Sequence, residues 1–546
     1  MPELMWVGKS KVLTHHLDVP FRLLDRQYSF DEDGLRQADN GSANMIIHGD
    51  NLEALKALLP RYEGRVDVVY IDPPYNTGEE RWIYNDNVND PVIRQWLGEV
   101  VGREGEDLSR HDKWLSMMYP RLRLLHRLLS ADGLFAVSIG DAELHNLGAM
   151  LDEIFGARNR LATAPVRSEP SGGKDKSALR TGHEYVLFYS KGDQSRLVKE
   201  EKSAGPLTLK DSAGMYRKGR ELRKWGATSD RKDRPNLWFP ITDPDGQPAL
   251  PFKNDGTEGY WRWGTTHSAM AEILKDPSRA HWERAPFDAG VSVNGATSRN
   301  VPYEKVRDVK KSFGWNTWLD GYGTNADATA VIKAIFGSKE FDTPKPLSLI
   351  EWIISLHDRD DALVLDSFAG SGTTGHATLK LNATDGGTRK FILVELGEYA
   401  ESVTAERVRR VISGKVAKPD SLQKTGGDFS YYELGEPLFN GDELNPSVPV
   451  ERLRDYIWYT ETAGVSPREQ VEGFPHYLGT FGGTAYHLHY DANQATVLNH
   501  EFLAPFTGQV IADTIVIYAD SCILSKAELS RMGLVFKKIP RDISRF

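Results

Sequence analysis

Residues 66–78 read Val-Asp-Val-Val-Tyr-Ile-Asp-Pro-Pro-Tyr-Asn-Thr-Gly, and their reading decides the fold. Val66 to Ile71 is an apolar, β-branched run of the kind that fills a strand buried on both faces. It stops at Asp72-Pro73-Pro74-Tyr75. Two successive prolines lack the N–H donors a ladder needs and fix φ near −65°, so the strand cannot continue. An acid and an aromatic are thereby held at the carboxyl end of a central strand, where open α/β sheets place ligands.

Working outward, Met45–His48 predicts a strand and Leu52, Leu55, Leu58 and Leu59 a helix, with Asp50 or Asn51 as its N-cap. Downstream, Lys113–Leu129 reads as an amphipathic helix and Leu134–Ile139 as a strand. A helix capped at Asp141 runs to Phe155, and Glu184–Ser190 is a further strand. This alternation predicts parallel βαβ units, each crossing over in the right-handed sense.

A second decisive stretch lies far along the chain. Ala362–Leu365 predicts a strand, followed by Asp366-Ser-Phe-Ala-Gly-Ser-Gly-Thr-Thr-Gly375 and a helix. A glycine turn there lets a ligand approach the backbone and points amides at it. Gly370-x-Gly372-x-x-Gly375 with Glu395 at a strand end suits the adenosine ribose of either a nicotinamide dinucleotide or S-adenosylmethionine, and spacing does not separate them. A phosphate-binding P-loop is excluded, because His376 and Ala377 stand where Lys and Ser/Thr are required.

The two stretches together carry a resemblance. Asp72-Pro-Pro-Tyr75 resembles the catalytic motif of DNA amino-methyltransferases, and Phe368-Ala-Gly-Ser-Gly-Thr-Thr374 resembles their S-adenosylmethionine loop. Catalytic strand first and cofactor strand second is the order of the β class, most like the Mod subunits of type III restriction–modification systems. The resemblance implies a doubly wound, mostly parallel Rossmann-like sheet, with both loops at one edge. It implies S-adenosyl-L-methionine as cofactor and methyl transfer to adenine N6 in double-stranded DNA, with cytosine N4 or a non-catalytic DNA-recognition subunit as alternatives. It further implies a homodimer and a helicase–nuclease or other defence-system partner.

The residues make chemical sense of that expectation. An exocyclic amine is a poor nucleophile while its lone pair is delocalised into the ring. The Asp72 carboxylate and the Pro73 carbonyl can accept its two N–H bonds and orient it, with Pro74 stiffening the tip. Tyr75 offers a flat face to a base swung out of the duplex. By resemblance, Asp366, Phe368, Ala369, Gly370, Gly372, Thr373, Thr374 and Glu395 hold the cofactor. Asp50 meets its adenine end, and Lys345, in Phe341-Asp-Thr-Pro-Lys-Pro346 ahead of an apolar helix, lies beside its methionine moiety.

Composition sets the remaining bounds. The 546-residue chain is 40% hydrophobic and 26% charged, which suits several globular domains. A single cysteine, Cys522, allows neither a disulfide framework nor a thiolate metal site, and no metal is expected. No apolar run reaches membrane-spanning length, so a soluble, cytoplasmic protein is expected. Net charge is −10, yet Lys210 to Arg234 carries nine Lys or Arg against four Asp or Glu. That basic island marks Arg217, Lys218, Arg220, Arg223 and Lys224 as DNA-contact candidates. The domains expected are an irregular lead-in (1–44), a catalytic half (45–193), an inserted target-recognition region rich in tryptophan (194–333), a cofactor half (334–412), a linker (413–428) and a small C-terminal α/β domain (429–546).

Overall fold

All six residues of the strand Val66–Ile71 are buried, as an apolar run flanked by sheet on both edges and helices on both faces must be. The computed structural model describes residues 3–77, 107–170, 172, 179–194, 196–203, 205–462, 476–506 and 512–543. Its main sheet contains β1 (Arg22–Asp31), β2 (Gly34–Arg36), β3 (Met45–His48), β4 (Val66–Ile71), β5 (Leu129–Ile139), β6 (Arg160–Arg167), β7 (His183–Ser190), β8 (Leu363–Asp366), β9 (Lys390–Glu395) and β10 (Phe429–Pro437). The order across the sheet is β2-β1-β10-β3-β9-β8-β4-β5-β7-β6. The strands from β10 to β5 are mutually parallel. Both flanks are antiparallel.

Alternation along the strands sorts the core onto two faces. Val69, Ile71, Phe135, Val137 and Ile139 meet α1 (Asn51–Tyr62), α2 (Asp107–Leu128) and α3 (Leu144–Leu151). Val68, Tyr70, Leu134, Ala136 and Val364 face the other way, onto α5 (Leu347–Ser355). On that second face Phe391 and Leu393 pack with α4 (Asn325–Phe336), α6 (Thr373–Asp385) and α7 (Glu406–Ser413). The doubly wound architecture is therefore present.

Several boundaries differ from the sequence reading. The lead-in is not irregular: β1 and β2 extend the sheet, because Tyr28 and Phe30 bury against Phe429 and Tyr431. β10, expected to open the C-terminal domain, inserts between β1 and β3. β7 pairs antiparallel with β5, so the expected run of parallel units ends there. The helix expected to start at Asp141 runs from Leu144 and finishes as a π turn over Asp152–Gly156.

The inserted region is a separate compact unit, Lys199–Trp315, narrower than 194–333 at both ends. Residues 316–333 belong with the main sheet, since Leu319 is buried and exchanges backbone hydrogen bonds with Pro165 and Arg167 of β6. Within the insert, strands Leu209–Asp211, Gly214–Glu221, His281–Pro286 and Ser298–Val306 form an antiparallel sheet. Its small core joins Leu222, Ile241, Trp261, Met270 and Ile273, with Trp263 and Trp282 packed against it. Toward the C-terminus, α8 (Val450–Thr462) covers a four-stranded sheet of Tyr477–Phe481, Thr484–Leu488, Thr514–Ala519 and Leu534–Lys538. Trp82 and Tyr84 lie outside the described residues, as does most of the loop at Ser171–Lys176. No helix among the described residues is long and apolar enough to cross a membrane.

Candidate active site

Register places the chemistry. Leu365 is level with Val69, Leu393 with Asp366, and His48 with Glu395. The loops that follow β3, β4, β8 and β9 therefore leave from one edge of the sheet. There Asp72, Pro73, Pro74 and Tyr75 line the same cavity, of about 560 Å³, as Asp366, Phe368, Ala369, Gly370, Thr373, Thr374 and Glu395. The acid–aromatic tip and the glycine loop face each other because β4 and β8 are neighbours.

The tip is fixed from several sides. The buried Trp114 donates its indole N–H to the Pro74 carbonyl at 2.8 Å. Asn76 takes up a left-handed φ of 58° and is buried, its amide donating to the Glu143 carboxylate. Tyr75 lies close against Gly140 at the end of β5, where a Cβ would come within 3.0 Å of its ring.

Around the acid sits a cluster that motif reading did not foresee as a whole. Lys345 Nζ is 3.1 Å from Asp72 Oδ1 and 3.1 Å from Glu184 Oε2. It also donates to the Tyr75 hydroxyl at 2.8 Å, and that hydroxyl donates to Glu184 at 2.8 Å. Burial, reinforced by the Glu184 carboxylate, pushes Asp72 up to about 6 against the pull of Lys345. Burial disfavours the Lys345 ammonium, yet Asp72 and Glu184 overcome it and hold its pKa above the ordinary lysine value. Tyr75 stays a phenol, its pKa raised by burial and by Asp72. Lys345, expected beside the methionine moiety, thus lies between Asp72 and Glu184 and hydrogen-bonds the latter at 3.1 Å.

The glycine loop is braced from behind. Glu395 accepts the amides of Gly370 at 2.7 Å and Gly397 at 2.8 Å. Asp366 accepts the Phe368 amide at 3.0 Å and the Thr374 hydroxyl at 2.5 Å. Burial raises both acids, Asp366 to about 7. Gly372 has φ 76°, and a Cβ there would sit 2.9 Å from the Thr404 carbonyl oxygen, so neither backbone nor space admits another residue. Arg407, fully buried on the apolar stripe of α7, donates to the Ser371 hydroxyl at 2.9 Å and to Thr373 Oγ1 at 2.8 Å. Burial brings its guanidinium down to about 9.

Asp50 stands apart. It caps α1 by accepting the Leu52 amide at 2.7 Å and pairs with Arg121 of α2 at 3.2 Å, and it does not line the cavity. Of the basic candidates in the insert, Lys218 and Arg220 are exposed and paired with Glu283 and Glu304. Arg217 donates to the Asp308 carbonyl, and the Lys224 backbone N–H to the Tyr260 carbonyl. Arg223 corrects the expectation. It is buried against Glu221 at 2.8 Å and stacks on Trp225, so it serves the insert's interior and offers phosphates no surface.

A family model described as DNA methylase matches residues 66–406, the span from the first residue of β4 to the start of α7. The chain belongs to the DNA methylase family. Among relatives of this DNA methylase, the type II methyltransferase M.KpnI of Klebsiella pneumoniae is 34% identical over 67% of the chain and 84% of its own length. The type III restriction-modification enzyme EcoPI Mod subunit of Escherichia phage P1 is 28% identical over 78% of the chain and 70% of its own length. A solved DNA modification methylase of Thermus thermophilus, in complex with S-adenosyl-L-methionine, aligns over 73% of the chain and all of its own, at 15% identity and a TM-score of 0.32.

Two functional neighbours of the DNA methylase motifs escape sequence reading. Glu184 reads as the first polar residue of a strand, but β7 is antiparallel to β5, so its beginning lies at the edge where the other strands end. Arg407 announces itself only as a charge on the buried stripe that holds Val408 and Val411.

Proposed function

We propose that this DNA methylase transfers a methyl group to adenine N6 in double-stranded DNA, with S-adenosyl-L-methionine as donor. The observation that carries the proposal is the shared cavity: the Asp72–Tyr75 tip and the Phe368–Thr374 loop line one space of about 560 Å³, within the range of small-molecule sites. Its charged lining suits this donor, since Asp72, Glu184, Asp366 and Glu395 outnumber the ammonium of Lys345 and favour a sulfonium cation.

When bound, S-adenosyl-L-methionine supplies an electrophilic methyl. The chain's own residues do the rest. Phe368, Ala369, Gly370, Thr373 and Thr374 form the cradle, Gly372 turns the loop against Thr404 behind it, and Glu395 and Asp366 hold it open through the Gly370 and Phe368 amides. The Asp72 carboxylate and Pro73 carbonyl accept the two N–H bonds of the amine and aim its lone pair. Tyr75 stacks on a base flipped out of the duplex, the stacking being worth about 1–3 kcal/mol. After transfer, the amine's surplus proton has an acceptor in Asp72, whose pKa of about 6 suits a group that must be ionised at neutral pH. Aspartate at the first motif position is more usual among adenine enzymes than among cytosine-N4 enzymes, and it favours adenine.

Arg217, Lys218, Arg220 and Lys224 of the insert are the proposed phosphate contacts. Similarity to Mod subunits supports a homodimer working beside a restriction subunit in a defence system. DNA from a methylase-deficient strain, treated with the protein and S-adenosyl-L-methionine and digested to nucleosides, should yield N6-methyladenine. N4-methylcytosine instead would move the target, and neither product would sink the proposal.

A further inference from the structure

We infer that Glu184 is a positioning residue that provides a second seat for the Lys345 ammonium, so that Asp72 is free to accept the amine of the incoming base. The inference rests on the methyltransfer reading above and extends it to a residue outside both motifs.

The geometry is that of a hand-over. Lys345 Nζ is as close to Glu184 Oε2 as to Asp72 Oδ1, 3.1 Å in each case. An ammonium held by Asp72 alone would compete directly with the amine, because both need the same carboxylate. A buried lysine cannot simply withdraw into water, so its release from Asp72 requires another anion within reach. Glu184 is that anion. Its residue is 7% exposed, it lines the cavity, and its Oε1, like Oδ1 of Asp72, is a buried acceptor with no hydrogen-bond donor among the described residues. A buried acceptor left unmatched costs stability and calls for an explanation. Lys345 already donates to Glu184 Oε2 at 3.1 Å, and the free Oε1 lets the same carboxylate take it over fully from Asp72.

Glu184 has a second hold on the site. It accepts the Tyr75 hydroxyl at 2.8 Å, while Gly140 leaves room for the ring at its other side. The carboxylate that receives Lys345 thus also fixes the ring on which the base is to stack. The groups facing Asp72 are Lys345 ahead of α5, Glu184 on β7, Tyr70 on β4, Tyr75 in its own loop and Asp366 on β8. Of these, Glu184 is the near anion whose removal leaves both motifs intact.

Glu184→Gln tests the idea, since it keeps the shape and the acceptor for Tyr75 but removes the charge that attracts Lys345. Methyl transfer to DNA from a methylase-deficient strain should fall about tenfold or more, well beyond the smaller loss of affinity for S-adenosyl-L-methionine that removing one cavity anion brings. Losing a neighbouring anion and gaining undivided Lys345 both favour the Asp72 carboxylate, so the acid limb of kcat/KM for DNA should move to lower pH. A merely structural residue would lower activity without moving that limb. In a Lys345→Gln background the Glu184→Gln change should cost nothing further, and this pair serves as the test if the single variant does not fold. Wild-type rate and pH profile in Glu184→Gln, or full additivity in the double variant, would overturn the inference alone. Absence of methyl transfer by the wild type would overturn the underlying reading, and the inference with it.

Discussion

Charge is handled in opposite ways on the insert and in the cavity. On the insert, apart from the buried Arg223–Glu221 pair, many cations and anions pair at the surface: Lys218 with Glu283, Arg220 with Glu304, Arg231 with Glu258, and, less exposed, Arg307 and Lys305 with Asp211. Asp211 is held below its ordinary range by hydrogen bonds from Arg307 and Lys305, and Glu283 by the one from Lys218. In the cavity, burial pushes Asp72, Asp366 and Glu395 up, and one lysine serves two carboxylates. Exposed pairs are worth little and are readily rearranged. An uncompensated buried acid is costly, and perturbed groups of this kind gather where chemistry is done. The difference supports the cavity as the working part of the proposed reaction, and the insert's paired charges as ones free to exchange a carboxylate for a phosphate.

The sharpest way to break the contrast is at Asp72. Asp72→Ala should lower methyl transfer by about 10³-fold while leaving cofactor binding within a few fold, as expected when oriented electrostatic contacts to the reacting amine are lost. Radiolabelled methyl incorporation beside calorimetry separates the two, and a small loss would mean the buried acid is only structural. Tyr75→Ala should cost about 10²-fold through lost stacking and orientation, read in the same assay.

A pH titration sharpens the contrast next. In the proposed reaction Asp72 acts as a carboxylate, so kcat/KM for DNA at saturating cofactor should fall as pH drops through about 6. Asp366, raised to about 7, must likewise give up its proton to favour a cationic ligand. Affinity for S-adenosyl-L-methionine should therefore weaken below neutrality more than affinity for its uncharged thioether product, a difference calorimetry at two pH values would reveal.

Gly372→Ala forces a positive φ and a 2.9 Å approach to the Thr404 carbonyl oxygen. It should cost about 1–3 kcal/mol in cofactor affinity or thermal stability. The smallest effects belong to the insert. Lys218→Ala and Arg220→Ala should each change stability by less than about 1 kcal/mol. Each should nonetheless reduce the salt dependence of DNA binding by about one unit of slope if the side chain exchanges its carboxylate for a phosphate. Unchanged salt dependence would leave these pairs as surface decoration.

The central strands and both loops are legible from sequence because their signals are local: an apolar run stopped by two prolines, and glycines between a strand and a helix. Residues whose roles depend on distant partners are not. β1 escapes because Arg22, Asp25 and Arg26 break its alternation, and pairing along its length with the distant β10 makes it a strand. β10 follows a linker-like stretch in sequence yet lies beside β3 in space. Glu184 needs the direction of β7, and Lys345 needs Glu184. Arg223 looks like part of a basic island, because charge counted along the chain does not show that Glu221 and Trp225 enclose it.

The adjacency of β4 and β8 also bears on synthesis. Val68 and Val364 are paired although 296 residues separate them. A nascent chain exposes its base-binding tip long before the strand that must lie beside it has left the ribosome, and contacts this remote form slowly. Until β8 and the loop after it are made, the cavity that Asp72 and Tyr75 line lacks its opposite wall.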